Sequence, residues 1–219
     1  MVEAIVNQIA HDVRNYAFTI GLQAELGERR SDAVPEARAH FVAVLRQVDA
    51  LKGYLEQLLL FGRPTTLTPT AADVAALIRQ QVQELQFSWR PDSPPVAVGI
   101  EVGSDIGEVR WDMRSMGYAL RALLDNAVRS ADPTPPVTVR AARQGERVVV
   151  EVVDRGSGIP PDKLDLIWSP MRVRRHGGAG LGLAIARKIA SAHGGSLELE
   201  TGPQGTTARL DLPQEVSPV

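Results

Sequence analysis

Apolar side chains recur along the first part of the chain at alternating intervals of four and three residues: Val2, Val6, Ile9, Val13, Tyr16 and Ile20, then Phe41, Val44, Val48, Leu51, Leu55 and Leu58. That period keeps each set on one helical face, so the spacing predicts two helices. Between them Gly27, the charged Glu28-Arg29-Arg30, Ser31-Asp32 and Pro35 read as a stop, a turn and a start. Ser31 or Asp32 can cap, and Pro35 is tolerated in a first turn. The result is a helical hairpin. Ile5, Phe18 and Leu22 on the first helix, and Leu45 and Leu59 on the second, add more apolar surface than one partner helix covers. Dimerisation into a four-helix bundle is therefore expected. The second helix should end at Gly62-Arg63-Pro64, and the Thr/Pro-rich stretch Thr65 to Thr70 reads as a linker.

Beyond the linker the pattern changes. Asp73 to Phe87 reads as a helix, Val96 to Val102 as a strand and Met113 to Ser130 as a second helix. Val137-Thr138-Val139 and Val148 to Val153 read as a hairpin joined across Gln144-Gly145-Glu146. After a helix from Gly182 to His193, Leu197/Leu199 and Ala208/Leu210/Leu212 alternate as half-buried strands around Gly202-Pro203-Gln204-Gly205. The fold class is α+β: a helical hairpin followed by an α/β sandwich with a mixed, mainly antiparallel sheet. The expected limits are 1–64 for the hairpin, 65–70 for the linker, 71–213 for the sandwich and 214–219 for a tail.

Composition narrows the chemistry. The 24 basic residues nearly balance 26 acidic ones, for a net charge of −2, so no broad basic surface is available for nucleic acid. The absence of cysteine excludes disulfides, thiolate nucleophiles and sulfur-bound zinc. Apolar runs such as Leu58-Leu59-Leu60-Phe61 fall far short of the ~18 residues a membrane span needs. With Glu3, Asn7, Gln8 and His11 near its start, no signal peptide is expected there. A cytoplasmic location is expected, with membrane contact only through a sensor region outside this chain.

Two glycine clusters carry the local signal. Asp154-Arg155-Gly156-Ser157-Gly158 follows a valine-rich strand, and Gly177-Gly178-Ala179-Gly180-Leu181-Gly182-Leu183 opens a helix. Glycine lets backbone N–H groups approach a ligand, and a helix N-terminus favours phosphate. The G-x-G-x-G spacing and the lack of a parallel β-α-β unit with a downstream acid disfavour a dinucleotide fold; a Walker lysine is also missing.

Together with Leu123-Leu124-Asp125-Asn126-Ala127, these clusters resemble the ATP-binding domain of a sensor histidine kinase, whose fold is shared with gyrase-type and Hsp90-type ATPases. The resemblance covers nearly the whole chain and implies ATP and Mg²⁺ as cofactors. Asp154 matches the carboxylate that takes the adenine amino group, and Gly156 and Gly158 the loop beside the base. Asn126 matches the residue that holds Mg²⁺ against the triphosphate, and Arg129 the basic position facing the phosphates. Gly178, Gly180, Leu181 and Gly182 match the phosphate-binding turn. Leu166-Ile167-Trp168-Ser169-Pro170-Met171 stands at the family's aromatic box, with Trp and Met in place of two phenylalanines. Arg172 to His176 form a basic cluster in the implied lid.

In the first helix His11-Asp12-Val13-Arg14-Asn15 resembles the phosphoacceptor box. It implies His11 as nucleophile, Asp12 as orienter and base, and Asn15 as the residue that positions water when a partner is dephosphorylated. His11 lies two residues past Ile9, about 200° around the axis and on the solvent side. His40, His176 and His193 match no such box.

The implied activity is autophosphorylation on His11 and transfer to an aspartate of a response-regulator receiver domain, by a homodimer, with dephosphorylation of the regulator as a further activity. Tyr16 replaces the family's usual proline, and Ala122 replaces the asparagine one turn before Asn126. Related hydrolases carry a glutamate base at that position, so Ala122 argues against water activation. The alternative is a phosphotransfer scaffold with a degenerate nucleotide site.

Overall fold

In the computed structural model, which describes residues 2–30, 35–88, 97–130, 137–169 and 180–216, the two apolar periodicities become α1 (Val2–Arg30) and α2 (Pro35–Gly62). The chain divides into two compact units, one built on residues 1–64 and the other on 65–173 and 182–219.

In the first unit, small side chains make the contact between helices. Ala17 and Ala24 are buried, and a Cβ at Gly21 would lie 3.5 Å from Val48 Cγ1. Val13 packs on Leu55 and Leu59 of α2. Tyr16 and Ile20, which the periodicity assigned to the seam, are 70% and 50% exposed. The apolar period identifies a face; the close approach of two backbones selects the smallest residues within it. Gly27 differs from expectation in the same way. It does not stop α1, which runs on to Arg30. The Phe41 ring occupies the space its side chain would fill, and any Cβ there would collide with that ring. The expected cap at Ser31 or Asp32 lies outside the described residues.

The second unit is a layered sandwich. Its helices are α3 (Val74–Ser88), α4 (Met113–Ser130) and α5 (Gly182–Ala192). The main sheet holds β2 (Val98–Val102), β4 (Val137–Gln144), β5 (Arg147–Asp154), β6 (Ser196–Gly202) and β7 (Gly205–Pro213), in the order β2-β4-β5-β7-β6. β2 and β4 are parallel and the other pairs antiparallel, so the sheet is mixed as the strand pattern predicted. The register Val139↔Val152, Val150↔Leu210 and Leu197↔Leu210 stacks buried side chains on one face. Met116, Leu120, Leu123, Leu124 and Ala127 form the buried stripe of α4, at the three-and-four spacing of a core-facing helix. Each such large side chain contributes about 1.5–3 kcal/mol by burial.

On the opposite face the same register lines up Glu101, Arg140, Glu151, Arg209 and Glu198, one from each strand, in alternating charge. Arg140 reaches Glu101 at 2.8 Å and Arg209 reaches Glu151 at 3.0 Å.

Two elements were not legible in the sequence. β1 (Thr70–Asp73) pairs antiparallel with β3 (Glu108–Trp111), so the end of the expected linker is a strand. Residues 214–216 of the expected tail are likewise built in: the Gln214 N–H donates to Glu146 O at 3.0 Å, and the Val216 N–H to Arg110 O at 3.2 Å. Both features rest on backbone pairing between distant segments, which leaves no periodic trace in stretches of four and three residues.

Candidate functional site

β5 ends at Asp154, whose inward position puts a carboxylate at the edge of the core, 4% exposed. Its Oδ1 accepts the N–H of Gly156 at 2.9 Å and that of Thr206 at 3.2 Å. Two backbone donors on one oxygen fix the direction in which the carboxylate faces. The loop beyond it needs its glycines. A Cβ at Gly156 would collide with the carbonyl of Ser130, and Gly158, at φ +69°, lies against the carbonyl of Gly202. Along this loop and the β6–β7 turn runs an open depression of about 560 Å³, lined by Asp154, Arg155, Thr201, Gly205 and Thr206 among others.

Asn126 lies in the last turns of α4. Ala122, Asn126 and Ser130 are four residues apart and so share one stripe of the helix. A Cβ on Gly182 would sit 3.5 Å from Ala122 Cβ, while Gly156 abuts the Ser130 carbonyl. Asn126 is thus bracketed by the glycine that opens α5 on one side and the loop after Asp154 on the other. The Ser130 hydroxyl donates to its carbonyl oxygen at 2.8 Å. Arg129 is exposed in the final turn. Before α5, Gly180 has φ +68° and Leu181 is fully buried; Gly178 and the Arg172–His176 cluster lie outside the described residues.

At the aromatic box Ile167 is buried, and the Arg187 guanidinium stands 4.9 Å from the Trp168 ring centre, a cation–π pair. Met171 lies outside the described residues.

The backbone of α1 includes His11 and Asp12, but their side chains are outside the described ones. Asn15 is exposed, and its carbonyl accepts the Thr19 hydroxyl at 3.0 Å.

Sequence reasoning missed Thr201 and Thr206. The Thr201 hydroxyl accepts the Ile159 N–H at 2.8 Å and meets the Thr206 hydroxyl at 3.1 Å, bracing the loop from behind. The signal was available: Thr206 occupies the inward parity otherwise held by Ala208, Leu210 and Leu212, and a polar side chain there needs partners.

Among the described residues no group of three His, Cys, Asp or Glu side chains converges to hold a metal. No helix among them is long and apolar enough to cross a membrane.

His193 is fully buried and structural. Its Nδ1 bonds to the Ile189 carbonyl at 2.9 Å and its Nε2 accepts the Asp112 N–H at 3.1 Å. Burial pushes the imidazole below its ordinary value, against the opposing pull of the Ile189 carbonyl and the Asp112 carboxylate. For Asp112, burial works to raise the pKa, but hydrogen bonds from Ser115 and Thr68 hold it below the usual aspartate value.

Residues 112–216 match the family of histidine kinase-, DNA gyrase B- and HSP90-like ATPases. The nitrogen regulation protein NtrY of Azorhizobium caulinodans is 32% identical over 95% of this chain and 28% of its own length. The sensor histidine kinase ZraS of Escherichia coli K12 is 28% identical over 95% of this chain and 45% of its own. The chain therefore spans less than half of each of these relatives. Full-length ShkA, solved with AMPPNP, shares the fold at a TM-score of 0.81 and 22% identity, over 99% of this chain and 47% of that one. The mycobacterial sensor histidine kinase MprB superposes at 0.58 and 26% identity, over 68% of this chain and all of that one. With an ATPase-type domain following a helical hairpin, and sensor kinases as relatives along nearly its whole length, this chain is similar throughout to the catalytic core of sensor histidine kinases.

Proposed function

We propose that the chain binds Mg·ATP and transfers its γ-phosphoryl group to His11, from which it passes to an aspartate of a response-regulator receiver domain. The observation that carries this reading is the placement of Asn126 between the two glycine clusters, with Asp154 oriented by two backbone amides at one of them. The adenine amino group is assigned to Asp154, the phosphates to Arg129 and the turn at Gly178, Gly180, Leu181 and Gly182. Asn126 offers the hard amide oxygen that suits Mg²⁺, an ion that takes its remaining ligands from phosphates and water; when bound it neutralises charge on the phosphates.

In the transfer His11 Nε2 attacks the γ-phosphorus, the bond to the β-phosphate oxygen breaks and ADP leaves. Asp12 orients the imidazole through Nδ1. Such a step depends on positioning more than on new covalent chemistry, with the reacting atoms brought to about 3–3.5 Å. Asn15, one turn beyond His11, is assigned to water in dephosphorylation of the partner.

The hairpin supports two docking roles. Tyr16, Ile20, Val44 and Leu51 are exposed apolar residues, and Ile20 and Val44 line a groove of about 290 Å³ with Ala24 and Phe41, suited to a second copy in a four-helix bundle. Asn15, Phe18, Leu22 and Leu26 form a separate exposed stripe on α1, spaced three, four and four residues apart, which suits the receiver domain.

Incubation with γ-labelled ATP and Mg²⁺ tests the reading, with wild type compared against His11→Gln. Acid-labile, base-stable label on the wild type alone is expected. Nucleotide binding without label would instead favour a phosphatase, and no binding would favour the scaffold.

A further inference from the structure

Asp112 caps α4, and its two carboxylate oxygens serve different segments. Oδ1 accepts the Ser115 N–H at 2.8 Å, satisfying an amide of the helix start. Oδ2 accepts the N–H of Thr68, also at 2.8 Å, from 44 residues earlier in the chain. The backbone N–H of Asp112 donates to His193, the residue just beyond α5. One residue therefore joins the start of α4, the end of α5 and the segment that leads in from the hairpin. The other ends of those two helices carry Asn126, Arg129 and Gly182.

We propose that Asp112 is a positioning residue for phosphoryl transfer, clasping the linker at Thr68 and confining the free tether between the two units to Pro64–Leu67; this rests on the kinase reading above. Arg63 is still held by α2, its N–H donating to Leu59 O at 3.0 Å. With the clasp closed, five Cα steps separate the two anchors, about 18 Å at full extension. With it open, the next anchor is Thr70 in β1, seven steps or about 25 Å away. That change in length alone lowers effective concentration by only about 1.7-fold. A larger effect measures orientation: the clasp sets the direction in which the linker leaves the catalytic unit, and transfer requires aligned atoms.

Asp112→Asn separates the two roles. Asparagine caps a helix as well as aspartate does, but its NH₂ would meet the Thr68 N–H donor to donor. Asp112→Ser provides a second case, since serine caps but is too short to reach Thr68 as well. In the full chain, three quantities are measured: hydrogen exchange of the Thr68 amide, ATP affinity, and labelling rate at saturating ATP. For both variants we expect Thr68 exchange to rise about tenfold or more, as loss of a charge-assisted bond implies. Affinity should stay within about twofold, and the labelling rate should fall by about threefold or more, beyond what tether length explains.

Unchanged Thr68 exchange overturns the clasp. Faster exchange with a labelling rate less than threefold down overturns its role in transfer, and a parallel loss of ATP affinity shows a merely structural residue. An unlabelled wild type would instead overturn the kinase reading, a failure distinct from a labelled wild type with unchanged variants.

Discussion

His193 carries no chemistry in the proposed reaction, yet its buried, hydrogen-bonded ring is expected to make the fold sensitive to acid. Its Nε2 accepts a backbone N–H, so a proton there would set two donors against each other inside the core. Unfolded, the imidazole titrates near 6.5; folded, burial holds it lower. Above 6.5 neither state is charged and the native contacts contribute in full. As the pH falls from 6.5 toward the folded value, the unfolded chain takes up a proton that the native one refuses, and stability drops. Asp112 adds a loss of the same sign at lower pH, because its folded value also lies below the unfolded one. Glutamine at 193 can accept the Asp112 N–H and donate to the Ile189 carbonyl without titrating. Urea midpoints should fall between pH 7.5 and 5.5 in the wild type, and much less in His193→Gln. An equal slope in both proteins would place the acid sensitivity elsewhere.

At the level of elements, the hairpin shows what a period conveys and what it conceals. Helix existence, the end of α2 at Gly62 and the course of α4 from Met113 to Ser130 were legible, because long stretches repeat their apolar spacing. The inner seam was not, since Ala17, Gly21 and Ala24 matter for being small, and hydropathy alone favours Tyr16 and Ile20. The site divided along the same line. Asp154 and the glycines of the proposed site stand out in the sequence because they form short motifs of residue types suited to that chemistry. Thr201 and Asp112 act through partners more than forty residues away, which no local pattern encodes, whereas Thr206 shows in the sequence only as a polar residue at an inward position of β7. Gly27 gives this a measurable form. Helix propensity alone predicts that alanine stabilises an exposed helical glycine by about 1 kcal/mol. Because a Cβ would strike the Phe41 ring, Gly27→Ala should instead destabilise by about 1–3 kcal/mol. In a Phe41→Ala background the same change should become stabilising, and chemical denaturation of the four proteins of this cycle would show the change of sign.

For the molecule as a whole, the two units present contrasting surfaces. Across the sheet every charge in the row from Glu101 to Glu198 has an opposite neighbour, so that face offers little net field. The hairpin leaves large apolar side chains uncovered, and association should occur there. Ile20→Glu places a charge in the groove beside Phe41 and Val44 and is expected to convert a dimer to a monomer in sedimentation velocity. A monomeric wild type at micromolar concentration would refute the assignment. The strand order has a further consequence during synthesis. β7, the last of the strands to leave the ribosome, lies between β5 and β6, so the sheet cannot close until Gly205–Pro213 has emerged. The hairpin is complete much earlier, and domains fold as they appear. If the hairpins pair as proposed, two nascent chains can do so while neither sheet is complete, and a message cut short before Gly205 would yield a partner that pairs but lacks the strand joining β5 to β6.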